Sequence, residues 1–174
     1  MPKIAIILGS ESDLSKLKDC FLFLQEAGVN YQIELLSAHR LPEEVARFCK
    51  GAKKNGFEAI IAAAGLAAHL PGVCASHTHL PVIGLPLTSG VSDGMDALLS
   101  IVQMPPGVPV ATVGINNSRN AAVLACRILA IKNSRLQKRL AEISEKTAKN
   151  LLKKNTELKR VGWEKRLDFL NEKK

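Results

Sequence analysis

Short apolar runs recur along the first three-quarters of the chain, and patterns typical of helices separate them. The runs are KIAIILG, YQIELLS, EAIIAAAG, LPVIGLP and VPVATVGI, each bounded by Gly, Pro, Ser or Asn. Most of them are continuous rather than alternating, as in strands that are buried on both faces of a parallel sheet. Between the first two runs, apolar residues recur at spacings of three and four, which predicts a helix with one apolar face. Alternating strands and helices indicate βαβ crossovers.

Five such strands with helices on both faces, within about 130 residues, predict an α/β fold: a flavodoxin-like, doubly wound parallel sheet. A (β/α)8 barrel needs about 250 residues, more than the 174 of this chain. Ligands of doubly wound sheets bind beyond the carboxyl ends of the strands. The turns that follow the strands are therefore where candidate functional residues are expected.

The pattern after Asn120 is helical throughout, first apolar and then strongly charged. The charged part keeps one apolar stripe, at Leu136, Leu140, Ile143 and Leu151. Such a stripe needs a partner surface, either on the chain's own domain or on another subunit. We predict an α/β domain over residues 1–131 and a basic helical arm over residues 132–174. The arm is interrupted at Gly162 and is interpreted as an oligomerisation element that packs on the core or on a neighbouring subunit.

Composition excludes several classes of protein. With 47% hydrophobic and 23% charged residues, the chain is expected to form a single globular core. Its apolar runs are far shorter than the ~20 residues that span a bilayer, and its start lacks the features of a secretory signal. We therefore expect a cytoplasmic protein with no membrane association. The four cysteines form no CxxC pair, so we interpret them as buried, reduced side chains.

The net charge of +8 lies entirely in the arm. Residues 1–131 carry 10 basic and 10 acidic side chains, whereas residues 132–174 carry 14 and 6. A basic segment can bind nucleic acid, but here acidic residues are interspersed and no set of aromatic residues for base stacking accompanies them. A nucleic-acid partner is therefore not favoured.

Polar residues follow the first two predicted strands. The first strand ends in Gly9-Ser10-Glu11-Ser12-Asp13, directly before a helix, where free backbone N–H groups and hydroxyls favour an anion such as phosphate. Ser10 and Asp13 also have the spacing of a capping box, a purely structural alternative. The loop has neither the GxGxxG nor the GxxxxGK[ST] pattern.

The second strand ends in Ser37-Ala38-His39-Arg40, so an imidazole and a guanidinium are expected in the same crevice. Arginine suits a phosphate or carboxylate, and histidine suits proton transfer near neutral pH. The third strand runs into the small-residue segment Gly65–Leu70, whose backbone can approach a ligand closely and whose one polar side chain is His69. A structural alternative is the tightly packed start of a helix. His77 and His79 lack a third ligand at a recognisable spacing, so no metal site is predicted.

Taken together, residues 3 to about 131 resemble the class I N5-carboxyaminoimidazole ribonucleotide mutases of purine biosynthesis. The segments that carry the resemblance are, in order, GSESD, SAHR, AAHLPG, PVIGLP, LLSIVQMPPGVPVATV and NAA. The class II relatives carry Lys where Arg40 stands and lack AAHLPG. The resemblance implies a homo-octamer with each site at a subunit junction. It also implies a reaction without a cofactor or metal: the carboxylate of N5-carboxyaminoimidazole ribonucleotide moves from the exocyclic nitrogen to ring carbon C4, giving 4-carboxy-5-aminoimidazole ribonucleotide.

The resemblance also assigns roles to residues. His39 is the proton shuttle; Ser10, Ser12 and Arg40 hold the phosphate; Asp13 holds the ribose hydroxyls. Ser37 and the backbone of Gly65–Leu70 enclose the imidazole and carboxylate, and His69 is expected to donate a hydrogen bond to the migrating carboxylate. The full set of expected substrate-binding residues is Gly9, Ser10, Ser12, Asp13, Ser37, Ala38, Arg40, Gly65, Ala67, Ala68, His69 and Leu70.

Two alternatives stay open at this point. The same residues could carboxylate aminoimidazole ribonucleotide directly with carbon dioxide. A nucleotide- or flavin-binding module or a signalling receiver on the same fold is a second, non-enzymatic alternative, although Ala64-Gly65 stands where a receiver needs an Asp. Three features depart from the family pattern: Leu66 stands where a small residue is usual, the segment 114–119 is short, and the basic arm is long.

Overall fold

Five parallel strands form one sheet in the computed structural model, which describes residues 3–89 and 92–171. The strands are β1 (Lys3–Leu8), β2 (Asn30–Leu35), β3 (Ala59–Ala64), β4 (Val82–Pro86) and β5 (Ala111–Thr112). The helices are α1 (Lys18–Ala27), α2 (Pro42–Ala52), α3 (Leu70–Ser76), α4 (Met95–Val102), α5 (Ser118–Ala130), α6 (Ser134–Val161) and α7 (Trp163–Asn171). A 3-10 helical segment, Glu11–Leu17, precedes α1. The outermost residues of the two predicted domains, 1–2 and 172–174, lie outside the described residues.

The strand order is β2-β1-β3-β4-β5, and every neighbouring pair is parallel. In register, Ile6 of β1 lies between Ile33 of β2 and Ile61 of β3. The chain moves from β1 outward to β2 and then crosses back to β3 on the other side of β1. This reversal confirms the doubly wound α/β prediction and places the topological switch point between β1 and β3, where such sheets bind ligands.

Alternate residues of β1 pack on opposite faces of the sheet. Ile4, Ile6 and Leu8 belong to a core cluster with α1 and α5, and Ala5 and Ile7 belong to a second cluster with α2, α3 and α4. β1, β3 and β4 are buried along almost their whole length, as their continuous apolar runs predict.

The two outer strands differ from the prediction that the strands are buried on both faces. β2 lies at one edge of the sheet, and its residues are exposed or half-buried throughout. At the other edge, the predicted strand VPVATVGI is reduced to the two residues of β5. Pro109 precedes β5 and has no N–H to donate, so it limits the hydrogen-bonded ladder on that side.

All four cysteines are free and buried, as predicted. Burial raises the pKa of Cys20 and of Cys126 to about 12. A hydrogen bond between the thiols of Cys49 and Cys74 lowers the pKa of Cys49 and raises that of Cys74. These thiols therefore serve as small apolar core residues.

The helical arm begins as part of the core. Leu136 and Ile143 of α6 are buried in the cluster that holds α1 and α5, and Leu140 packs against it. A short break separates α5 from α6, and the first turns of α6 pack on α1 and α5. Beyond Ile143 the large apolar side chains are exposed except for the half-buried Val161, and Leu151 and Trp163 are each 68% accessible. Gly162, with φ of +82°, separates α6 from α7, so the predicted interruption is confirmed.

None of the helices within residues 3–89 and 92–171 has the length and apolarity needed to cross a bilayer.

Candidate functional site: a crevice at the switch point

The turns after β1, β2 and β3 meet above the carboxyl edge of the sheet. Leu36, which follows β2, donates its backbone N–H to the carbonyl of Leu8 at the end of β1. The Arg40 guanidinium continues this link, because its Nη2 donates to the Gly9 carbonyl oxygen at 2.7 Å. The residues predicted to bind an anion therefore come together from two separate turns.

The turn after β1 is organised by its own hydroxyls. Ser10 begins the 3-10 segment as its N-cap and accepts a hydrogen bond from the Ser12 N–H. The two hydroxyl oxygens of these serines lie 2.8 Å apart. Asp13, the other half of the possible capping box, accepts a hydrogen bond from Lys16 Nζ. Ser10 thus has a capping role, and both hydroxyls lie at the N-terminal end of the helical segment, whose dipole favours an anion.

The turn after β2 presents His39 and Arg40 at the surface of the crevice. The Ser37 carbonyl accepts the N–H groups of Arg40 and Leu41, which closes the turn before α2 begins at Pro42. Proline suits this first helical position because it has no N–H to leave unpaired. Ser37 and Ala38 are half-buried, whereas His39 and Arg40 are exposed to a ligand.

His39 contacts His69 across the crevice. The Nε2 atom of His39 lies 2.7 Å from Nδ1 of His69, and the rings meet edge to face at an interplanar angle of 82°. A nitrogen-to-nitrogen contact of this length is a hydrogen bond, in which one imidazole donates and the other accepts. Which ring donates and which accepts depends on the tautomers of the two imidazoles.

His69 occupies the N-cap position of α3, at the end of the small-residue segment that follows β3. In that segment the Leu66 N–H donates to Ser89 Oγ at 2.9 Å. A Cβ on Gly65 would lie 2.1 Å from the same oxygen, so only glycine permits this approach. Leu66 has φ of +54°, a left-handed conformation that is costly for any residue with a Cβ atom.

The remaining residues of this segment divide between the crevice and the core. The side chain of Ala67 is exposed, whereas those of Ala68 and Leu70 are buried in the core cluster under α2 and α3. Any contact of Ala68 or Leu70 with a ligand therefore falls to their backbone atoms.

Four residues at the crevice were not singled out from the sequence. Lys16 contacts Asp13, Ser89 contacts the segment after β3, and Thr88 and Asn116 are hydrogen-bonded to each other. Thr88 and Ser89 follow β4 as Ser37 follows β2, so the same strand-end criterion could have found them. Lys16 has no such signal, because a lysine on a helical segment is ordinarily solvated.

His77 and His79 lie at the opposite end of α3, beside a hollow of about 480 Å³. Within the described ranges, no cluster of three or more His, Cys, Asp or Glu side chains could hold a metal ion.

A larger hollow of about 1070 Å³ lies between the C-terminal end of α1 and the start of α6, and it includes Gly28 and Arg139. It is distant from both histidines of the crevice, so its size does not make it the reactive site.

The structure is a doubly wound α/β fold that brings the turn after β1 and a pair of imidazoles together at the switch point, where such sheets bind ligands. The family model described as AIR carboxylase matches residues 3–150. The chain belongs to the AIR carboxylase family.

Individual relatives extend the match along nearly the whole chain. The N5-carboxyaminoimidazole ribonucleotide mutase of Thermotoga maritima is 47% identical over 173 residues, which cover 99% of both chains. The protein of the same name from Pyrococcus horikoshii is 49% identical over 95% of this chain and 94% of its own. The crystal structure of Treponema denticola PurE superposes with a TM-score of 0.83 at 27% identity, covering 91% of this chain and 99% of that one.

Proposed function

We propose that this protein is a 5-(carboxyamino)imidazole ribonucleotide mutase, an isomerase of purine biosynthesis. The substrate is N5-carboxyaminoimidazole ribonucleotide and the product is 4-carboxy-5-aminoimidazole ribonucleotide. Two relatives that match nearly end to end carry this name. The observation that carries the proposal is the His39–His69 contact, which holds an imidazole suited to proton transfer beside the turn that favours an anion.

The nucleotide phosphate binds at the turn after β1. Ser10 and Ser12 supply hydroxyls, and the Arg40 guanidinium, held by the Gly9 carbonyl, supplies a fixed positive charge. The Asp13 carboxylate accepts hydrogen bonds from the ribose hydroxyls. A phosphate anchored there directs the attached heterocycle along the crevice toward the small-residue segment after β3.

His39 moves the proton in both halves of the reaction. In the first half it protonates the exocyclic nitrogen as the carbamate C–N bond breaks and carbon dioxide leaves. In the second half ring carbon C4 attacks the carbon dioxide, and His39 then removes the C4 proton, which restores the aromatic ring. Substrate and product are isomers, so the proton that is given is also recovered.

His69 enables these alternating roles. The 2.7 Å hydrogen bond to His69 holds the His39 ring in one orientation, so His39 can act first as donor and then as acceptor without any movement of the backbone. The carbon dioxide must stay in place between the two halves. Ser37, Ala38 and the backbone of Gly65–Leu70 enclose it, and exclusion of water there favours recapture over escape.

An assay with defined substrates tests the function and separates it from direct carboxylation. We expect rapid conversion of N5-carboxyaminoimidazole ribonucleotide without added bicarbonate, monitored by formation of the C4-carboxylated product. Activity only with aminoimidazole ribonucleotide at high bicarbonate would instead identify a carboxylase. A protein that converts neither nucleotide would contradict both assignments.

Replacing His69 by asparagine should lower kcat without abolishing nucleotide binding. The asparagine side chain cannot share a proton with His39, and loss of the orienting contact costs up to roughly 100-fold in rate. The measurement compares kcat and its pH profile for wild type, His69→Asn and the double variant with His39→Asn. Normal turnover by His69→Asn would contradict the role of His69. A double variant clearly slower than His39→Asn alone would also contradict it, because His69 would then act independently of His39.

We also propose that residues 132–174 act as an oligomerisation arm of a homo-octamer whose sites lie at subunit junctions. Two observations support this. The exposed apolar side chains of α6 and α7 lie beyond the part of the arm that packs on the core, at Leu151, Leu152, Leu158, Trp163, Leu167, Phe169 and Leu170. His39 and Arg40 are exposed in the single chain, and a neighbouring subunit would provide the missing enclosure.

Replacing both Leu151 and Leu152 by serine should reduce the oligomer to smaller species, because the substitutions remove apolar surface that would be buried between subunits. Light scattering after size exclusion measures the mass, and the melting temperature should stay near that of wild type since both leucines are exposed. The matched control replaces the adjacent Lys153 and Lys154 by serine and keeps the wild-type mass. An octamer that persists in the leucine variant would contradict the arm proposal.

A further inference from the structure

Lys16 connects the turn after β1 to the turn after β4. Its Nζ lies 3.1 Å from Asp13 Oδ1 and donates a second hydrogen bond, of 2.8 Å, to the Thr88 carbonyl oxygen. The lysine is separated from Thr88 by 72 residues in sequence, so this contact exists only in the folded chain. One ammonium group thus fixes the acidic side chain of the first turn relative to a different strand end.

This ion pair is better shielded than the others within the described residues. The Asp13 side chain is 14% exposed, the lowest value for any partner in those pairs, and the Lys16 side chain is 30% exposed. Exposed pairs contribute little because water and salt screen them and because two long side chains must be ordered. Three features favour a fixed position for the Asp13 carboxylate. They are the shielding of the ion pair from solvent, the spacing of three residues between Asp13 and Lys16, and the second acceptor for Lys16 at Thr88.

The contact continues into the rest of the crevice. Thr88 is hydrogen-bonded through its N–H to Asn116, after β5, and the next residue, Ser89, accepts the N–H of Leu66. Leu66 belongs to the segment that ends at His69. Lys16 therefore attaches the Asp13 side chain to the same framework that positions the imidazole pair.

We propose that Lys16 is a positioning residue for the ribose of the substrate. It holds the Asp13 carboxylate through Oδ1 and leaves Oδ2 to accept the ribose hydroxyls, at a fixed distance from His69. Lys16 does not contact the reacting atoms, so it acts through Asp13 on binding and not on the chemical step. This inference rests on the proposed function, which assigns the ribose hydroxyls to Asp13.

Substituting Lys16 by methionine tests the proposal, because methionine keeps an unbranched side chain and removes the ammonium. We expect the KM for N5-carboxyaminoimidazole ribonucleotide to rise about fivefold, the size of one ordinary hydrogen bond, because Asp13 is retained but no longer held in place, with kcat within about twofold of wild type. Lys16→Arg retains both donors and should restore most of the lost affinity. A melting temperature recorded for each variant separates this effect from partial unfolding.

A double-variant cycle shows whether Lys16 acts through Asp13. In an Asp13→Asn background, Lys16→Met should cause no further increase in KM, since the carboxylate it orients is gone. The proposal would be overturned if Lys16→Met raised KM equally in the wild-type and Asp13→Asn backgrounds. It would also be overturned if Lys16→Met left KM unchanged, or lowered kcat about fivefold. These outcomes all require an active wild type; absence of turnover by the wild type would instead defeat the proposed function.

Discussion

The His39→Asn variant is expected to lose at least about 10³-fold in kcat while it still binds the nucleotide. Asparagine can form hydrogen bonds of similar reach, but it cannot accept the C4 proton and return a proton to the exocyclic nitrogen. The hydroxyls of Ser10 and Ser12 and the Arg40 guanidinium belong to other side chains, so the phosphate contacts remain. Single-turnover kinetics measures the chemical step, and calorimetry with the product measures binding.

His79→Asn provides the matched control for that experiment. His79 is exposed, lies beyond the far end of α3 and takes no part in the crevice, so its variant should turn over at the wild-type rate. Turnover by His39→Asn within about tenfold of wild type would refute the proton-shuttle role, because general acid and base catalysis contributes 10²-fold or more. Loss of nucleotide binding in the same variant would show that His39 has a binding role.

The Arg40→Met variant is expected to raise KM by roughly 10- to 100-fold, the loss of a charge-assisted contact to phosphate, with a much smaller change in kcat. Methionine retains the length of the side chain but lacks the fork of donors that suits a phosphate. It also loses the hydrogen bond to the Gly9 carbonyl, which joins the first two turns. Steady-state kinetics with varied nucleotide concentration measures the effect.

Arg47→Met is the matched control, since Arg47 lies on the exposed face of α2 and pairs with Glu44 rather than with the crevice. It should leave KM unchanged. The KM of wild type should also increase with ionic strength more steeply than that of Arg40→Met, because the variant has lost the charge that salt screens. A KM for Arg40→Met equal to that of wild type would place the phosphate elsewhere.

The central strands were predictable because their burial leaves a direct trace in the sequence. Strands that pack against helices on both faces need apolar residues at every position, and β1, β3 and β4 have them. The edges were not predictable in the same way. The apolar residues of the β2 run indicate a strand, but nothing in the run shows that it lies at the end of the sheet. The same limitation applies to β5, whose run is longer than its ladder.

The arm shows where periodicity stops being informative. The stripe from Leu136 to Leu151 is continuous in sequence, yet its first part, through Ile143, is packed on the core and its last part is exposed. Spacing identifies a face that must be covered but does not identify what covers it. That distinction depends on where α5 ends and on the direction in which α6 leaves it.

The strand ends were predictable from the sequence, but the contacts between them were not. The turn sequences GSESD, SAHR and AAHL indicated anion binding and proton transfer, and the doubly wound topology brings them to one edge of the sheet. The 2.7 Å contact between the two imidazoles and the double contact of Lys16 join residues that are 30 and 72 positions apart. Such pairings depend on the relative rotation of neighbouring turns, which no local pattern encodes.

The close approach of Gly65 to Ser89 constrains how this family can diversify. A methyl group at position 65 would lie 2.1 Å from the Ser89 Oγ, 3.0 Å from its Cβ and 3.2 Å from the Leu87 carbonyl oxygen, so alanine there requires loss of the serine side chain and a shift of the backbone. Loss of the serine would remove the acceptor for the Leu66 N–H, so a protein with only that change would be less stable at this turn. The two positions are therefore expected to be exchanged together between lineages or to remain unchanged together.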